Sequence, residues 1–177
     1  LLATASGDNT AKIWHLDGTL AKVLHGHSAA VTGAKFSPDG QWIATHSVDR
    51  TVRLWRMDGE PQYTLEGHRA QIWDINCSSD SQFLATASAD KTVKLWTIGG
   101  KLFKTLNGHT AGVRSVAFSP DGRQVVSGGD DQVGIIWNLN QILPLNELTA
   151  ACQWVEDYLQ TNGEWQGRSP KRSLCLP

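Results

Sequence analysis

A chain of 177 residues, 40% of them hydrophobic, can bury a sizeable core, and its formal charge of −1 offers no electrostatic pull toward nucleic acid or an anionic membrane. Cys77, Cys152 and Cys175 are widely spaced and form no C-x-x-C pair, which argues against a disulfide framework or a zinc site and suits a cytoplasmic protein. No apolar run is long enough to span a bilayer as a helix.

Taken in order, Leu1 to Ser6 reads as the second strand of a unit that recurs later, so the first unit is expected to be incomplete and the chain to be the tail end of something longer. Ser6, Asp8 and Trp14 follow. From here landmarks return every 41 residues: Asp8, Asp49, Asp90 and Asp131; Trp14, Trp55, Trp96 and Trp137; His27, His68 and His109. A fixed period of this length marks supersecondary units that cannot bury their apolar faces alone and must stack on one another.

The unit starting at Gly67 shows its parts most clearly. Ile72 to Asn76, Phe83 to Ser88 and Thr92 to Trp96 alternate apolar and polar residues as half-buried strands do. Ser37-Pro38-Asp39-Gly40 and Ser119-Pro120-Asp121-Gly122 are turns in neighbouring copies, and Ser78-Ser79-Asp80-Ser81 is a weaker version. After each Trp, Asp17-Gly18, Asp58-Gly59 or Gly99-Gly100 signals a hairpin into a fourth strand, such as Leu102 to Leu106. One period is therefore a four-stranded antiparallel sheet.

Gly-His, Ser-x-Asp and Trp recurring in register resemble the WD-repeat family of β-propellers over roughly Leu1 to Asn138. The family's Asp after the Trp is replaced by His15, Arg56, Thr97 and Asn138. The resemblance implies an all-β chain of about four blades, the first incomplete, in a ring of about seven. It also implies that His, Ser, Asp and the Trp indole bond to one another inside each blade. Those sets are His27, Ser47, Asp49 and Trp55, then His68, Ser88, Asp90 and Trp96. In the fourth copy Gly129 replaces the Ser beside His109, Asp131 and Trp137, so that blade is expected to be the loosest. The same Ser, His and Asp types could serve acyl transfer, but an enzyme needs one such constellation and this chain repeats it.

Positions that break the repeat are the places for function. Thr32, Trp73 and Arg114 open the first strand of their copies, and Val48, Ala89 and Asp130 precede the turn Asp. In propellers such positions rim one face, so all six are candidates for contact with a protein or peptide partner, with Trp73 and Arg114 in the character of anchors. His46 stands where other copies have Ala5, Ala87 and Gly128, and reads as a satisfied interior His, not a metal ligand.

After Trp137, Asn140-Gln141 replaces the hairpin signal, so the chain is expected to leave the blade. Asn146 as N-cap, then Leu148, Cys152, Val155 and Leu159 at helical spacing, predict an amphipathic helix, with a mobile tail behind it. Residues 1–145 thus form the blades and 146–177 a helical C-terminal segment, whose pattern resembles long bacterial WD-repeat proteins. Such a chain is expected to be a non-enzymatic scaffold or sensor, without cofactor, metal, nucleic acid or membrane. Its partners would be a protein or peptide on one face and missing blades of the same parent chain, and it would regulate an upstream NTPase or kinase domain. The alternatives are a free-standing small or oligomeric propeller and a propeller-based hydrolase.

Overall fold

The computed structural model describes residues 1–142, so the expectations placed on 146–177, and the boundary at 145, fall outside the described residues. Leu1–Trp137 is one compact unit, and Asn138 begins a second. Among the described residues there are four antiparallel sheets, each with its strands in chain order. The first holds β1 (Leu2–Ala5), β2 (Ala11–Trp14) and β3 (Leu20–Leu24). The second holds β4 (Val31–Phe36), β5 (Trp42–Ser47), β6 (Val52–Arg56) and β7 (Pro61–Leu65). The third holds β8 (Ile72–Cys77), β9 (Phe83–Ser88), β10 (Thr92–Thr97) and β11 (Leu102–Asn107). The fourth holds β12 (Val113–Phe118), β13 (Gln124–Gly129) and β14 (Gly134–Asn138). Where the Asp-Gly signal fails, β14 runs into one helical turn, α1 (Leu139–Ile142).

The turns obey their sequences with one refinement. At Asp17-Gly18, Asp58-Gly59 and Gly99-Gly100 only the second residue takes a positive φ, of 87°, 89° and 84°. The pairing then slips beside Trp14, Trp55 and Trp96. These are ordinary turns followed by a glycine bulge, not two-residue mirror-image turns. Ser81 takes φ 59° where the other copies have Gly40 at 68° and Gly122 at 69°. The weaker turn sequence thus adopts the same shape at the cost of a non-glycine residue in the left-handed region.

Strand alternation here separates two cores, not core from water. Trp42, Ala44, Val52, Leu54 and Leu65 of the second sheet pack against Ile72, Ile75, Leu84 and Trp96 of the third. On the other side of the second sheet, Val31, Ile43 and Trp55 meet Ala11, Ile13 and Leu24 of the first. Central strands β5 and β9 are consequently covered on both faces. Their Thr, Ser and His side chains must be satisfied inside the protein, because an orphaned buried polar group costs about 1–3 kcal/mol.

The innermost strands tie sheet to sheet. Thr32 Oγ1 and His46 Nδ1 both lie within hydrogen-bond reach of Ile72 O, at 3.4 and 3.1 Å, and Lys35 Nζ meets Asp74 Oδ1 at 3.1 Å. Asp74 Oδ2 accepts from Val116 N–H and Asn76 Oδ1 from Phe118 N–H, both at 3.0 Å. Strand β12 is a sheet edge, and these side chains occupy donors that would otherwise lack partners. Replacing Asn76 with Ala is expected to lower unfolding free energy by about 1–3 kcal/mol, whereas Asn76→Asp, which keeps an acceptor, should lose less. Urea titration of the two variants checks this, and equal losses would contradict it.

Candidate functional site

Each complete repeat contains a buried polar chain. Asp49 Oδ2 receives His27 Nδ1–H at 2.8 Å and Ser28 N–H at 3.0 Å, while its Oδ1 receives the Thr51 N–H and hydroxyl at 2.9 and 2.7 Å. The carboxylate is an acceptor only, which fixes the proton on His27 Nδ1 and leaves Nε2 to accept. Thr45 Oγ1 supplies that proton at 2.8 Å and itself accepts Trp55 Nε1–H at 2.9 Å. The next repeat repeats this with Asp90, His68, Thr86 and Trp96 at 2.7, 2.6 and 3.0 Å.

The hydroxyl that joins His to Trp is therefore Thr45 or Thr86, and the assignment of that role to Ser47 and Ser88 is corrected. Ser47 Oγ donates to Ala29 O at 3.0 Å and accepts Asp49 N–H at 3.0 Å. Ser88 Oγ does the same with Ala70 O and Asp90 N, at 3.1 Å each. In the fourth repeat the linking hydroxyl is Ser127, 2.8 Å from both His109 Nε2 and Trp137 Nε1. His109 Nδ1 meets Asp131 Oδ2 at 2.9 Å, so this set is complete and Gly129 does not open it. A Cβ at Gly129 would fall 2.9 Å from His109 Nδ1 and from Gly112 O. In the first sheet Trp14 Nε1 donates to Thr4 Oγ1 at 2.9 Å, Ser6 Oγ accepts Asp8 N–H at 3.3 Å, and Asp8 holds Thr10.

Electrostatics follow from burial and these bonds. Burial pushes the Asp49 carboxyl up, but the bonds from Thr51, His27 and Ser28 outweigh it and hold it at about 2. Burial likewise raises Asp90, and the bonds from His68, Thr92 and Arg69 N–H bring it well below the usual range. Burial lowers His27, against the opposing pull of Asp49. Burial also lowers His46, a residue 4% exposed with Nδ1 between Thr32 Oγ1 (2.9 Å) and Ile72 O. The Cys77 thiol is pushed up to about 12 by burial, so it is a poor nucleophile.

Chemistry at the repeated triads is obstructed by geometry. Ser47 and Ser88 spend their hydroxyl protons on Ala29 O and Ala70 O and not on the imidazoles, and Thr45 and Thr86, which do bond them, have no exposed surface. Among the described residues no three His, Cys, Asp or Glu side chains gather as a metal site.

The six positions that break the repeat are used unequally. Arg114 lies with its guanidinium carbon 3.7 Å from the Trp73 ring centroid, and its Nε donates to Asp130 Oδ1 at 2.7 Å. That bond raises the guanidinium further above its usual range. Trp73 rests on Gly112, where a Cβ would come within 2.5 Å of the indole and 3.3 Å of Ala89 Cα. These residues from β8, β12 and the adjoining loops form one cluster at one end of the strands. Its cation is 58% exposed at the side chain. Thr32 is directed to His46 and Ile72, and Val48 is exposed on its own loop. Sequence reasoning missed Thr45, Thr86 and Ser127, although a hydroxyl residue stands ten positions before every repeat Trp.

Three stretches, residues 18–56, 59–97 and 100–138, match the family described as WD domain, G-beta repeat. One stretch of 43 residues is 54% identical to ribosome assembly protein 4 of Chaetomium thermophilum, covering 24% of this chain and 8% of that protein. Another of 41 residues is 58% identical to the non-functional target of rapamycin complex subunit LST8-2 of Arabidopsis thaliana, covering 23% of this chain and 13% of that one. Each match is about one repeat long, a small part of either relative.

Two outcomes follow from the polar chain. Thr86→Val keeps shape but strands Trp96 Nε1–H and His68 Nε2, and should cost about 1–3 kcal/mol for each group by urea unfolding; a loss within ±0.5 kcal/mol, the usual range for surface changes, would contradict it. Burial lowers His27 and His46 in the fold relative to the unfolded chain, which protonates them near 6.5, so stability should fall as pH drops below that value. Asp49 is ionised in the fold down to about 2, so a second loss should begin below about 4. Urea midpoints measured from pH 8 to pH 3 should show both declines, and His46→Gln should flatten the first.

Proposed function

The chain belongs to the WD-repeat, or G-beta repeat, family, and from that premise we propose that it is a scaffold whose recognition surface centres on Arg114 stacked on Trp73. WD repeats are protein–protein interaction modules, and the reading concerns where and how this one binds. The observation that carries it is an exposed guanidinium fixed by an indole at 3.7 Å and a carboxylate at 2.7 Å.

An exposed Arg ordinarily loses rotamer freedom when a partner contacts it. Here Trp73 and Asp130 have already restrained it, and Gly112 restrains Trp73 in turn. The Nη groups remain available to a carbonyl or carboxylate of a protein or peptide. Arg and Trp are also the residue types that most often dominate interface energetics. The two relatives are named for an assembly role and for membership of a complex, which fits a binding role without identifying a partner. A non-enzymatic reading is supported by the burial of the hydroxyls that touch His27 and His68.

The immobilised chain should retain its partner protein about tenfold or more better than Trp73→Ala or Arg114→Ala variants of equal melting temperature. Lys101→Ala, on an exposed hairpin away from this cluster, should bind as the parent does. Retention by Trp73→Ala and Arg114→Ala equal to that of the parent would refute the assignment of the surface.

A further inference from the structure

The loop between β11 and β12 begins with a reactive pair. Asn107 is the last residue of β11, and its pairing with Thr92 is the end rung of that ladder. Gly108 follows it directly. Both are exposed, and among the described residues neither the Asn107 amide nor the Gly108 N–H takes part in a hydrogen bond. Asn76 and Asn138 differ: their side-chain oxygens accept Phe118 N–H at 3.0 Å and Asn140 N–H at 3.1 Å, and neither residue precedes a glycine.

Packing requires the glycine. A Cβ at Gly108 would lie 2.8 Å from Trp137 Cη2 and 3.2 Å from Ile135 Cδ1. Gly26 and Gly67 hold the same place in the preceding repeats, but His25 and Glu66 stand before them, and neither side chain carries an amide. At Asn107, therefore, a free side-chain amide precedes an obligatory glycine, whose nitrogen no Cβ shields.

We propose that Asn107-Gly108 is a self-modifying site, which loses ammonia and passes through a cyclic imide to an isoaspartyl link that loosens the fourth repeat. The Gly108 nitrogen gives up its proton and bonds to Asn107 Cγ; the Cγ–Nδ2 bond breaks, and ammonia leaves with that proton. Water then opens the five-membered ring, its hydroxyl going to a carbonyl carbon and its proton returning to the Gly108 nitrogen. Opening at Cγ gives an ordinary aspartyl residue. Opening at the main-chain carbonyl leaves the chain running through the side chain, one methylene longer. Either way an amide and a water become a carboxylate and ammonia.

The two products differ in what they disturb. A carboxylate alone is tolerated at this place, as Glu66 shows in the third repeat. An added methylene is not, because it enters one residue before His109, whose ring sits 2.8 Å from Ser127 Oγ and 2.9 Å from Asp131 Oδ2. Thr110 N–H, 2.9 Å from the same carboxylate oxygen, and Gly112, on which Trp73 rests, belong to the same loop.

The test uses the chain carrying Asn162→Gln, which removes the other Asn-Gly of the sequence. After incubation at pH 8, trypsin releases Thr105 to Arg114, in which Asn107 is the sole Asn. Fraying of a strand end costs little, whereas a reaction confined to the globally unfolded chain would be slowed more than about a thousandfold. Expected is a gain of one mass unit in that peptide, at a rate within about a hundredfold of the free synthetic peptide of the same sequence. Isoaspartyl methyltransferase should label the product, and Asn107→Gln, which would have to close a six-membered ring, should stay unmodified. Chain separated in the isoaspartyl form should melt below both the unmodified chain and Asn107→Asp, which carries the charge without the longer link. A slower rate than that limit, or a product that the methyltransferase does not label, overturns the site; equal melting of the isoaspartyl chain and Asn107→Asp overturns its effect on the fourth repeat.

Discussion

The bond on which the rest depends is the one between a buried imidazole and a buried carboxylate, His27 to Asp49 at 2.8 Å and its copies. The carboxylate does more than hold the ring. It also receives the N–H of the residue after the His and the N–H and hydroxyl two residues beyond itself. One ionised group therefore fixes the loop entering a sheet to the turn between its second and third strands. Repeated use of that clamp places the loops of successive sheets at equivalent positions, and loops positioned in this way can carry recognition on a stiff support.

Burial on both faces makes the clamp obligatory. In an open sheet the polar residues of β5 and β9 would face water, and alternation alone would suffice. Here both faces are covered by neighbouring sheets, so each inward hydroxyl, imidazole and indole N–H needs a partner within the protein. The Trp–Thr–His–Asp chain ends in a carboxylate held ionised by several donors. Cross-sheet bonds from Asp74 and Asn76 apply the same logic at the inner edge, where β12 offers backbone donors.

Much of this was legible in the sequence because it recurs. The period gave the sheets, the Asp and Trp positions and the turn glycines, each by residue type at a constant interval. The linking hydroxyl was harder to single out, since Thr45 and Ser47 lie on the same face of β5 and both recur at a constant distance from the Trp in most copies. Register decides between them. Trp55 pairs with Ile43, so Thr45 is two residues away along the strand and Ser47 four, or roughly 13 Å at the usual rise. An indole reaches the first and not the second.

The inner strands show how identical frames come to carry unequal surfaces. In the second sheet the place of Ala87 and Gly128 is taken by His46, whose ring occupies the volume a side chain at Gly33 would need. Thr32 is drawn inward by this ring, so the opening of β4 serves the packing of the second sheet on the third. In the third and fourth sheets the corresponding residues are Trp73 and Arg114, and no buried ring claims them. They turn to each other and to Asp130 instead. The same strand position is thus structural in one repeat and free for recognition in the next two. What bounds the proposed recognition surface on its second-sheet side is therefore a packing decision made at Gly33 and His46, not a change in the repeated clamp.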